Sequence, residues 1–532
     1  MLRVPSFIKA DMELANSGGF GASRRFRAAL WVASFVATCV AMTWILAVDA
    51  ARHSEFAFNS DLLHPYIFMQ DVLRKPSEFQ SWDLSRTPYV FPDWILAAVL
   101  DVSPLPHMWR PIVYGGVLMT IQAYCVAWML REMRTLGSVA SVMWGVLTIA
   151  STFILDGRTH MGEGRTFFLY TVTAFIHSGA LMSGLAFIPL LSKIVHADDL
   201  ARKRPLIVAG IVTAIATYSD YLFVLWFAIP AGVAFFIIAT PMPRRRKFTM
   251  FAALGGVAVV VTLLDMAVRR DFKRFDLDHL KSIEVWSDLL IYAYRNKQWQ
   301  IWLSAAIGVV MMGRGVLLTF TPRDPMSARR DGIELALIYC NTTAMALPLV
   351  TGVLTYTGNF CYALPMLTLP YVWVSCCASR GLSARFERYA VIFGAVVWLV
   401  LATQNHKGRH ALTKLREPQS ISRYLPELGL RTGFGDYWTC KRTLYETDYA
   451  VHMIPLDASG KQSDFAYNRS WFERRADDGT AVEPTFVVLT RLDEEKIRAR
   501  FGDPSRILTL GSDVVWIYDR PIPIEKSLPP RD

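Results

Sequence analysis

The stretch HMWRPIVYGGVLMTIQAYCVAWML, residues 107–130, decides the fold class. It is almost free of charge and is close to the ~20 residues that a helix needs to cross the hydrocarbon core of a bilayer. Similar stretches recur through residues 28–403 and are predicted as membrane spans: 28–48, 107–130, 138–155, 166–192, 205–218, 221–240, 248–268, 299–319, 333–353, 360–377 and 389–403. The sequence therefore predicts an α-helical polytopic membrane protein with about eleven transmembrane helices.

The composition changes after the last predicted span. Residues 404–532 resemble a soluble domain, with strand-like runs at Phe486–Leu489 and Val514–Tyr518 and a helix-like stretch at Asp493–Phe501. The segment Gly433–Trp438 is predicted as a turn followed by aromatic residues. We therefore divide the chain into an N-terminal segment (1–27), a transmembrane domain (28–403) and a small α/β C-terminal domain (404–532).

Charge and cysteine usage exclude several classes of protein. The net charge is +11, but the basic residues concentrate between apolar stretches, and no helix-turn-helix, zinc-finger or RNA-binding signature is present, so nucleic acid is not expected as a partner. The seven cysteines form no Cys-x-x-Cys pair, which argues against a thiolate zinc site. No P-loop or Gly-x-Gly-x-x-Gly motif predicts a nucleotide site.

The placement of lysine and arginine orients the predicted spans. Basic clusters lie at every second loop, for example at Lys193–Arg204 and Arg244–Lys247, and another precedes the first span at Arg24–Arg27. By the positive-inside rule this side is cytoplasmic. The N-terminus is then cytoplasmic and the C-terminal domain periplasmic, in a bacterial inner membrane.

The loop 269–298 departs from this pattern, because it is predicted outside and is nevertheless basic. Within it apolar residues recur at helical spacing: Leu280, Ile283, Trp286, Leu289, Leu290 and Ala293. This pattern predicts an amphipathic helix in the membrane interface. The helix either seals the rim of the bundle or offers a basic platform to a lipid phosphate.

The loop between the first two spans, residues 49–106, is long and unusually polar. Among its aromatic residues and prolines it gathers acidic and basic groups: Asp61, His64, Asp71, Asp83, Arg86 and Asp93. A loop that only joins two spans needs none of these groups, and functional residues often lie on loops held by a rigid scaffold. This loop is therefore the first candidate for a site.

The first loop also carries a resemblance to a known family. An acidic residue in a long outside loop, here in Ser60-Asp61, resembles the GT-C superfamily of membrane glycosyltransferases. The stretch Trp82-Asp83-Leu84-Ser85 with Phe91-Pro92-Asp93 is similar to a bacterial subset of that superfamily. Tyr362-Ala363-Leu364-Pro365 resembles the Tyr-x-x-Pro segment that opens a late span there, although Cys361 stands where an arginine is common.

This resemblance implies a sugar donor carried on polyprenyl phosphate and transfer with inversion to a glycan, lipid or protein acceptor. It also implies that Asp61 acts as general base or helps to hold a metal. A carboxylate can take the proton of the attacking hydroxyl, and the leaving phosphate needs positive charge or a metal. The candidate substrate-binding residues are His64, Asp83, Arg86, Asp93, Arg158, His160, Glu163, Arg165, Asp220 and Tyr362. Acidic residues would suit Mg²⁺ or Mn²⁺ as ligands. No Asp-x-Asp motif indicates a site for either ion, so no metal is assigned.

Structural roles compete with these assignments. Asp61 could cap a helix that begins at Leu62, Asp93 could cap a helix over Trp94–Leu100, and His64 could be a packed loop histidine. Asp220 either caps the sixth span or lines a cavity. His177, predicted in the middle of the fourth span, is either functional or a satisfied packing residue.

Two other functions remain open. A transporter or flippase of a lipid-linked glycan would suit the break between the fifth and sixth spans at Ser219–Asp220, although no internal repeat is evident. A non-catalytic assembly factor would use the C-terminal domain to bind a glycan or a partner. In that domain Asn468-Arg469-Ser470 formally matches a glycosylation sequon.

Overall fold

The computed structural model describes most of the chain. The described residues are 24–52, 60–82, 89–133, 138–156, 177–238, 240–268, 278–295, 299–321, 327–353, 362–381, 421–463, 467–511 and 513–524. The predicted span 389–403 lies outside them.

Helices dominate the N-terminal four-fifths of the chain. They are α1 (Arg24–Arg52), α2 (Ser60–Arg74), α3 (Ile95–Asp101), α4 (Arg110–Glu132), α5 (Ser138–Asp156), α6 (Ser178–His196), α7 (Asp199–Ser219), α8 (Ile229–Ile237), α9 (Arg244–Val268), α10 (His279–Arg295), α11 (Trp299–Phe320), α12 (Ala328–Thr351) and α13 (Pro365–Ala378). A π-helical turn, Val224–Ala228, precedes α8. An irregular turn, Val90–Trp94, in which Phe91 has extended backbone angles, precedes α3.

Several of these helices have the length and composition of membrane spans. Among the described residues, five helical stretches are long and apolar enough to cross a bilayer: His107–Glu132, Ser178–His196, Arg244–Ala267, Ile301–Phe320 and Ala328–Thr351. Shorter apolar helices cover Trp31–Ala47, Val139–Ser151, Val224–Ile237 and Pro365–Ala378. The prediction of a mostly helical, multi-pass chain is supported at this level, and the number eleven stays a prediction.

Close helix packing in the bundle depends on small residues. A Cβ added to Gly145 in α5 would lie 2.2 Å from the carbonyl oxygen of Ala123 in α4. A Cβ at Gly116 would lie 2.8 Å from the Cα of Thr43 in α1. Small residues at such crossings let helix backbones approach each other, as is common in membrane bundles.

Ion pairs and a backbone hydrogen bond connect neighbouring helices of the bundle. At one end Glu334 binds Arg314 (Nε–Oε1 3.2 Å) and Arg380, and Glu132 binds Arg329 (3.3 Å). These residues come from helix ends that the positive-inside rule places on one side. At the other end the Asp278 amide donates to the Gly352 carbonyl (2.9 Å), which joins α10 to the end of α12.

The amphipathic helix predicted within residues 269–298 is present as α10. Its Val285 packs with Ile301 and Ala363, whereas Leu280 and Ile283 are 80% and 57% exposed. One apolar face of α10 therefore lies against the bundle and further apolar side chains point outward.

The first loop folds over one end of the bundle as a packed layer of residues 60–82 and 89–101, called here the first-loop layer. α2 packs against the C-terminal domain, and α3 packs against α4. Tyr66 of α2 contacts the Tyr114 ring of α4 (6.2 Å) on one side and the Tyr445 ring of the C-terminal domain (6.1 Å) on the other. The layer thus joins the bundle to the C-terminal domain.

The C-terminal domain is a small mixed α/β unit, as predicted. Its elements are α14 (Ile421–Glu427), β1 (Thr432–Asp436), α15 (Tyr437–Glu446), β2 (His452–Leu456), β3 (Phe486–Val488), α16 (Glu494–Phe501), β4 (Arg506–Leu510) and β5 (Asp513–Ile517). The strand order is β2-β1-β3-β5-β4. β1 is parallel to β2 and β3, while β5 is antiparallel to β3 and β4.

The prediction of a turn at Gly433–Trp438 is wrong. Residues 432–436 form the buried strand β1, which lies between β2 and β3, and Asp436 caps α15 by accepting from the Trp438 and Thr439 amides. A Cβ at Gly433 would lie 2.5 Å from the Phe486 ring, and one at Gly435 would lie 2.7 Å from Met453 Cε. These glycines serve close packing within the sheet rather than a turn.

Acid is expected to destabilise this domain through His452 of β2. Its Nε2 donates to the Trp471 carbonyl (2.8 Å), and the Ala476 amide donates to Nδ1 (3.3 Å), so the neutral ring is satisfied. Burial lowers the pKa of His452 from 6.5 to about 4. Because the pKa of His452 is lower in the folded than in the unfolded protein, burial of the neutral ring stabilises the domain fully above pH 6.5. This stabilisation is lost as the pH falls from 6.5 toward 4, by about 3 kcal/mol in total.

Hydrogen exchange of β2 in the full-length protein, followed from neutral to mildly acidic pH, measures this effect. In His452→Gln the protection of β2 should change little over the same pH window. An equal loss of protection in both proteins would assign the acid sensitivity to other groups.

Candidate functional site

Many of the predicted site residues fall outside the described part of the chain. Asp61 is the second residue of α2, and its side chain is not described. Because α2 begins at Ser60 and not at Leu62, Asp61 lies within the first helical turn rather than at the predicted cap. The following lie outside the described residues: Asp83, Arg86, Arg158, His160, Glu163 and Arg165.

A buried polar cluster joins the first-loop layer to the bundle. His177 Nδ1 lies 2.7 Å from Asp220 Oδ2, and His177 Nε2 lies 3.5 Å from the Tyr89 hydroxyl. The Tyr362 ring packs on the imidazole with 5.0 Å between centroids, and Trp226 meets it edge-on at 5.9 Å. Four segments that are distant in sequence therefore bring ionisable and aromatic groups together at one point.

The position of His177 differs from the prediction. It is not in the middle of a helix but directly precedes α6, which begins at Ser178, and its φ is 58°. Tyr89 also has a positive φ, 52°. Non-glycine residues in this left-handed region cost about 1 kcal/mol or more each and concentrate at functional sites. Two such residues in contact mark this cluster as a candidate site.

Asp220 combines the two roles that were predicted as alternatives. One carboxylate oxygen accepts from the Leu222 amide (3.0 Å) where α7 ends, which is a capping contact. The other oxygen bonds to His177. The adjacent Ser219 anchors the first-loop layer, because its carbonyl accepts from the Tyr89 amide (3.1 Å) and its hydroxyl from the Phe91 amide (2.9 Å).

Asp93 does not cap the helix that follows it. The helix α3 begins at Ile95 after Trp94 and has no side-chain cap. Asp93 is instead buried, and it accepts a hydrogen bond from the Tyr114 hydroxyl of α4. Its carboxylate thus holds the first-loop layer on the bundle.

His64 lies at the contact between the first-loop layer and the C-terminal domain. It is fully buried on α2, and its Nδ1 lies 2.6 Å from Lys441 Nζ of α15. The same ammonium group donates to the Tyr437 hydroxyl (3.2 Å). His64 is one helical turn after Asp61, so Lys441 brings a buried cation from the C-terminal domain to the turn that carries the predicted base.

A second set of contacts, here called the domain junction, involves Asp71, Glu78, Trp82, Asn468 and Ser470. Asp71 Oδ2 accepts from Trp82 Nε1 (2.7 Å) and from Asn468 Nδ2 (2.6 Å). Asn468 Nδ2 also lies 3.1 Å from Glu78 Oε2, which accepts from the Ser470 hydroxyl (2.6 Å). Burial raises the pKa of Asp71, and the two donated hydrogen bonds partly oppose that shift.

The formal sequon at Asn468 is part of this junction. Asn468 is fully buried, and its amide nitrogen is engaged by two carboxylates. A glycan on this nitrogen is incompatible with the packed junction. The triplet therefore has a structural role here.

The structure gives no support for a metal site within the part of the chain that it describes, where no group of three or more His, Cys, Asp or Glu residues is placed to hold an ion. The predicted acidic positions Asp61, Asp83 and Glu163 are not covered by this result. Their use of Mg²⁺ or Mn²⁺ stays a prediction.

Sequence reasoning missed two residues of these clusters. Tyr89 lies inside the first loop, residues 49–106, which was singled out, but nothing distinguished it from its aromatic neighbours. Lys441 had no local signal, because a lysine on a short helix is ordinarily solvated. Only its burial, at 1% exposure, reveals it.

Comparisons with known proteins do not assign the chain to a family. No protein-family model matches the sequence, and no curated protein matches it. The case for a function therefore depends on the residues and on their arrangement.

Proposed function

We propose that this protein is a GT-C-type glycosyltransferase of the bacterial inner membrane. It moves a sugar from a polyprenyl-phosphate-linked donor to a glycan, lipid or protein acceptor of the cell envelope, with inversion. The reaction takes place on the periplasmic side, where the positive-inside rule puts the first loop and the C-terminal domain.

One observation carries this proposal: the acidic first loop is built into the fold as a layer between the bundle and the C-terminal domain. Contacts with Tyr114, Ser219 and Lys441 hold this layer from both sides. A site needs groups fixed by their surroundings, and a connecting loop needs no such support. Asp61 lies in the first turn of the most deeply packed helix of the layer, α2.

The chemistry assigned to the site follows from the residue types. Asp61 accepts the proton of the acceptor hydroxyl as that oxygen attacks the anomeric carbon. Arg86, Arg158, His160 and Arg165 are the cations assigned to the donor phosphate. The outward apolar residues of α10, with Leu280 80% exposed, suit contact with the lipid on which the donor is carried.

The test is Asp61→Asn in a strain that lacks the native gene. We expect loss of one cell-surface glycan decoration together with accumulation of a polyprenyl-phosphate-linked sugar, because an amide cannot accept the proton. Mass spectrometry of surface glycans and extracted lipids measures both. Asp503→Asn, at an 80% exposed carboxyl group in the C-terminal domain, is the control and should complement fully.

Full complementation by Asp61→Asn at normal protein level would remove Asp61 from this role. An unchanged profile of glycans and lipid-linked sugars in the strain without the gene would overturn glycosyl transfer itself.

A transporter or flippase of a lipid-linked glycan is the second candidate. It is favoured by the buried His177–Asp220 pair beside the end of α7, because ionisable pairs in membrane bundles often serve transport. Vesicles that contain the purified protein and a fluorescent lipid-linked sugar separate the two functions. Movement of the intact lipid between leaflets supports transport, and cleavage of the sugar–phosphate bond supports transfer.

A further inference from the structure

The outward apolar residues of α10 form one continuous surface, called here the apolar strip. Leu280 and Tyr294 are 80% and 76% exposed, and Ile283 and Ile291 are 57% and 44% exposed. At 3.6 residues per turn these four side chains project within about 80° of the helix circumference, together with the exposed Ser287. Single exposed apolar residues are common on proteins, but four on one side of a helix mark an interaction surface.

The other described side chains of α10 fall into two further sectors. Ser282 and Val285 are buried, and Trp286 packs beside Val285 against the bundle. A sector of about 60° between the apolar strip and these buried residues carries four exposed, charged side chains: Lys281, Glu284, Asp288 and Arg295. A helix that contacts only protein and water needs two faces. The three sectors of α10 suit three surroundings, namely the bundle, water and an apolar phase.

The contacts of α10 place it across the ends of three helices. The Asp278 amide donates to the Gly352 carbonyl (2.9 Å) directly after α12. Val285 packs with Ile301 at the start of α11 and with Ala363 just before α13. Both α11 and α12 contain stretches long and apolar enough to cross a bilayer. In a membrane α10 then lies at the depth where these helices end, which is the boundary between acyl chains and headgroups.

The neighbouring surface of α11 indicates what the apolar strip contacts. Val309 and Val310, farther along that helix, are 60% and 59% exposed, which suits contact with acyl chains. Trp302, in the first turn of α11, is 43% exposed. Together with Tyr294 it gives this end of the bundle two exposed aromatic residues, as in the aromatic belts of membrane proteins. The apolar strip lies at the level of this belt.

The charged sector separates the two roles that the sequence left open. Lys281 and Arg295 are balanced by Glu284 and Asp288, so the described helix offers no basic platform to a phosphate. The basic residues of the flanking segments, 269–277 and 296–298, lie outside the described residues. The described part of α10 is thus suited to acyl chains rather than to headgroup phosphates.

We propose that α10 lies in the plane of the membrane, with its apolar strip among the acyl chains of bilayer phospholipids and its charged sector in water. In the orientation that the positive-inside rule predicts, this is the outer leaflet. Apolar contact drives the insertion, and anionic lipid is not required. Because Val285 packs with Ala363, the inserted helix also fixes the start of α13 relative to the bilayer. This inference does not rest on the proposed glycosyl transfer.

The experiment compares two isoleucines of similar exposure in the full-length protein. Ile283→Cys changes the apolar strip, and Ile507→Cys, at a residue 53% exposed in β4, is the control. Each variant is placed at one copy per nanodisc of phosphatidylcholine and treated with a charged, membrane-impermeant maleimide. Mass spectrometry of peptides distinguishes the introduced thiol from the native cysteines. Ile283→Cys should react at least about tenfold more slowly than Ile507→Cys, because acyl chains exclude the reagent and disfavour the reactive thiolate.

A third variant, Glu284→Cys, tests the charged sector of the same helix and should react about as fast as the control. Slow reaction of Glu284→Cys as well would overturn the proposal, because α10 would then be covered on both sectors. Reaction of Ile283→Cys at the control rate would overturn it directly. Protection of Ile283→Cys that requires two copies per disc, phosphatidylglycerol or added undecaprenyl phosphate would also overturn it, and would assign the strip to a second copy, to electrostatic attraction or to the donor lipid, respectively.

Discussion

Asn468→Asp is expected to release the C-terminal domain from the first-loop layer. The substitution keeps the size of the side chain and the oxygen that accepts from the Ser470 amide (2.9 Å). It replaces the amide donor with a carboxylate oxygen that faces Asp71 at 2.6 Å and Glu78 at 3.1 Å. Three carboxylates would then meet in a buried place, and such like-charge contacts cost several kcal/mol, here about 3 kcal/mol or more.

Hydrogen exchange of the full-length protein measures this release. Peptides from α2 and α15 should lose protection together, because the two helices pack on each other across the junction. β4 and β5, which lie on the far side of the sheet, should keep theirs.

The control for this prediction exchanges the two groups. In the double variant Asp71→Asn with Asn468→Asp, the amide donor comes from α2 and the acceptor from the C-terminal domain. Protection should return in part, because an amide donor at position 71 again faces a carboxylate at position 468, while the repulsion between that carboxylate and Glu78, 3.1 Å away, remains. Unchanged protection in the single variant would mean that the junction contributes little to the docking of the domain.

The fold could be predicted to the extent that it depends on long local patterns. Apolar runs such as 107–130 predict helices, because each must bury a whole face or contact lipid. The predicted helix Asp493–Phe501 matches α16, which Asp493 caps. The interior strand β1 was missed because glycine ordinarily indicates a turn. At Gly433 it indicates instead the closeness of the Phe486 ring, which sequence alone does not reveal.

The sequence indicated individual residues of the candidate site but not which of them contact each other. His177 and Asp220 stood out because ionisable groups are costly in a membrane bundle. Their pairing depends on where α6 begins and where α7 ends, which is a property of the packed helices. Lys441 could not be found at all, because its burial results from a contact with His64 far away in the sequence. The role of Asp61 stays a prediction.

Arg380→Met is expected to lower the stability of the bundle by about 3 kcal/mol. Glu334 of α12 is 1% exposed and accepts from Arg380 and from Arg314 (3.2 Å). Loss of Arg380 leaves the buried carboxylate with too little positive charge, and Trp373 Nε1 (3.2 Å) offers only a neutral hydrogen bond. Thermal unfolding of the purified protein in detergent measures the change. Arg423→Met in the exposed pair with Glu427 (3.7 Å, side chains 54% and 62% exposed) is the matched control and should cost under about 1 kcal/mol.

The cause of this loss can be separated from the loss of packing by a second substitution. Adding Glu334→Gln to Arg380→Met removes the uncompensated charge while keeping the shape of the side chain and an oxygen that can accept from Trp373. Stability should then recover in part, although fewer native hydrogen bonds remain, because an unpaired buried charge costs more than the pair gains. If the double variant is less stable than Arg380→Met alone, the arginine acts through the packing of its hydrocarbon chain, and Glu334 is not the reason for its presence at this end of the bundle.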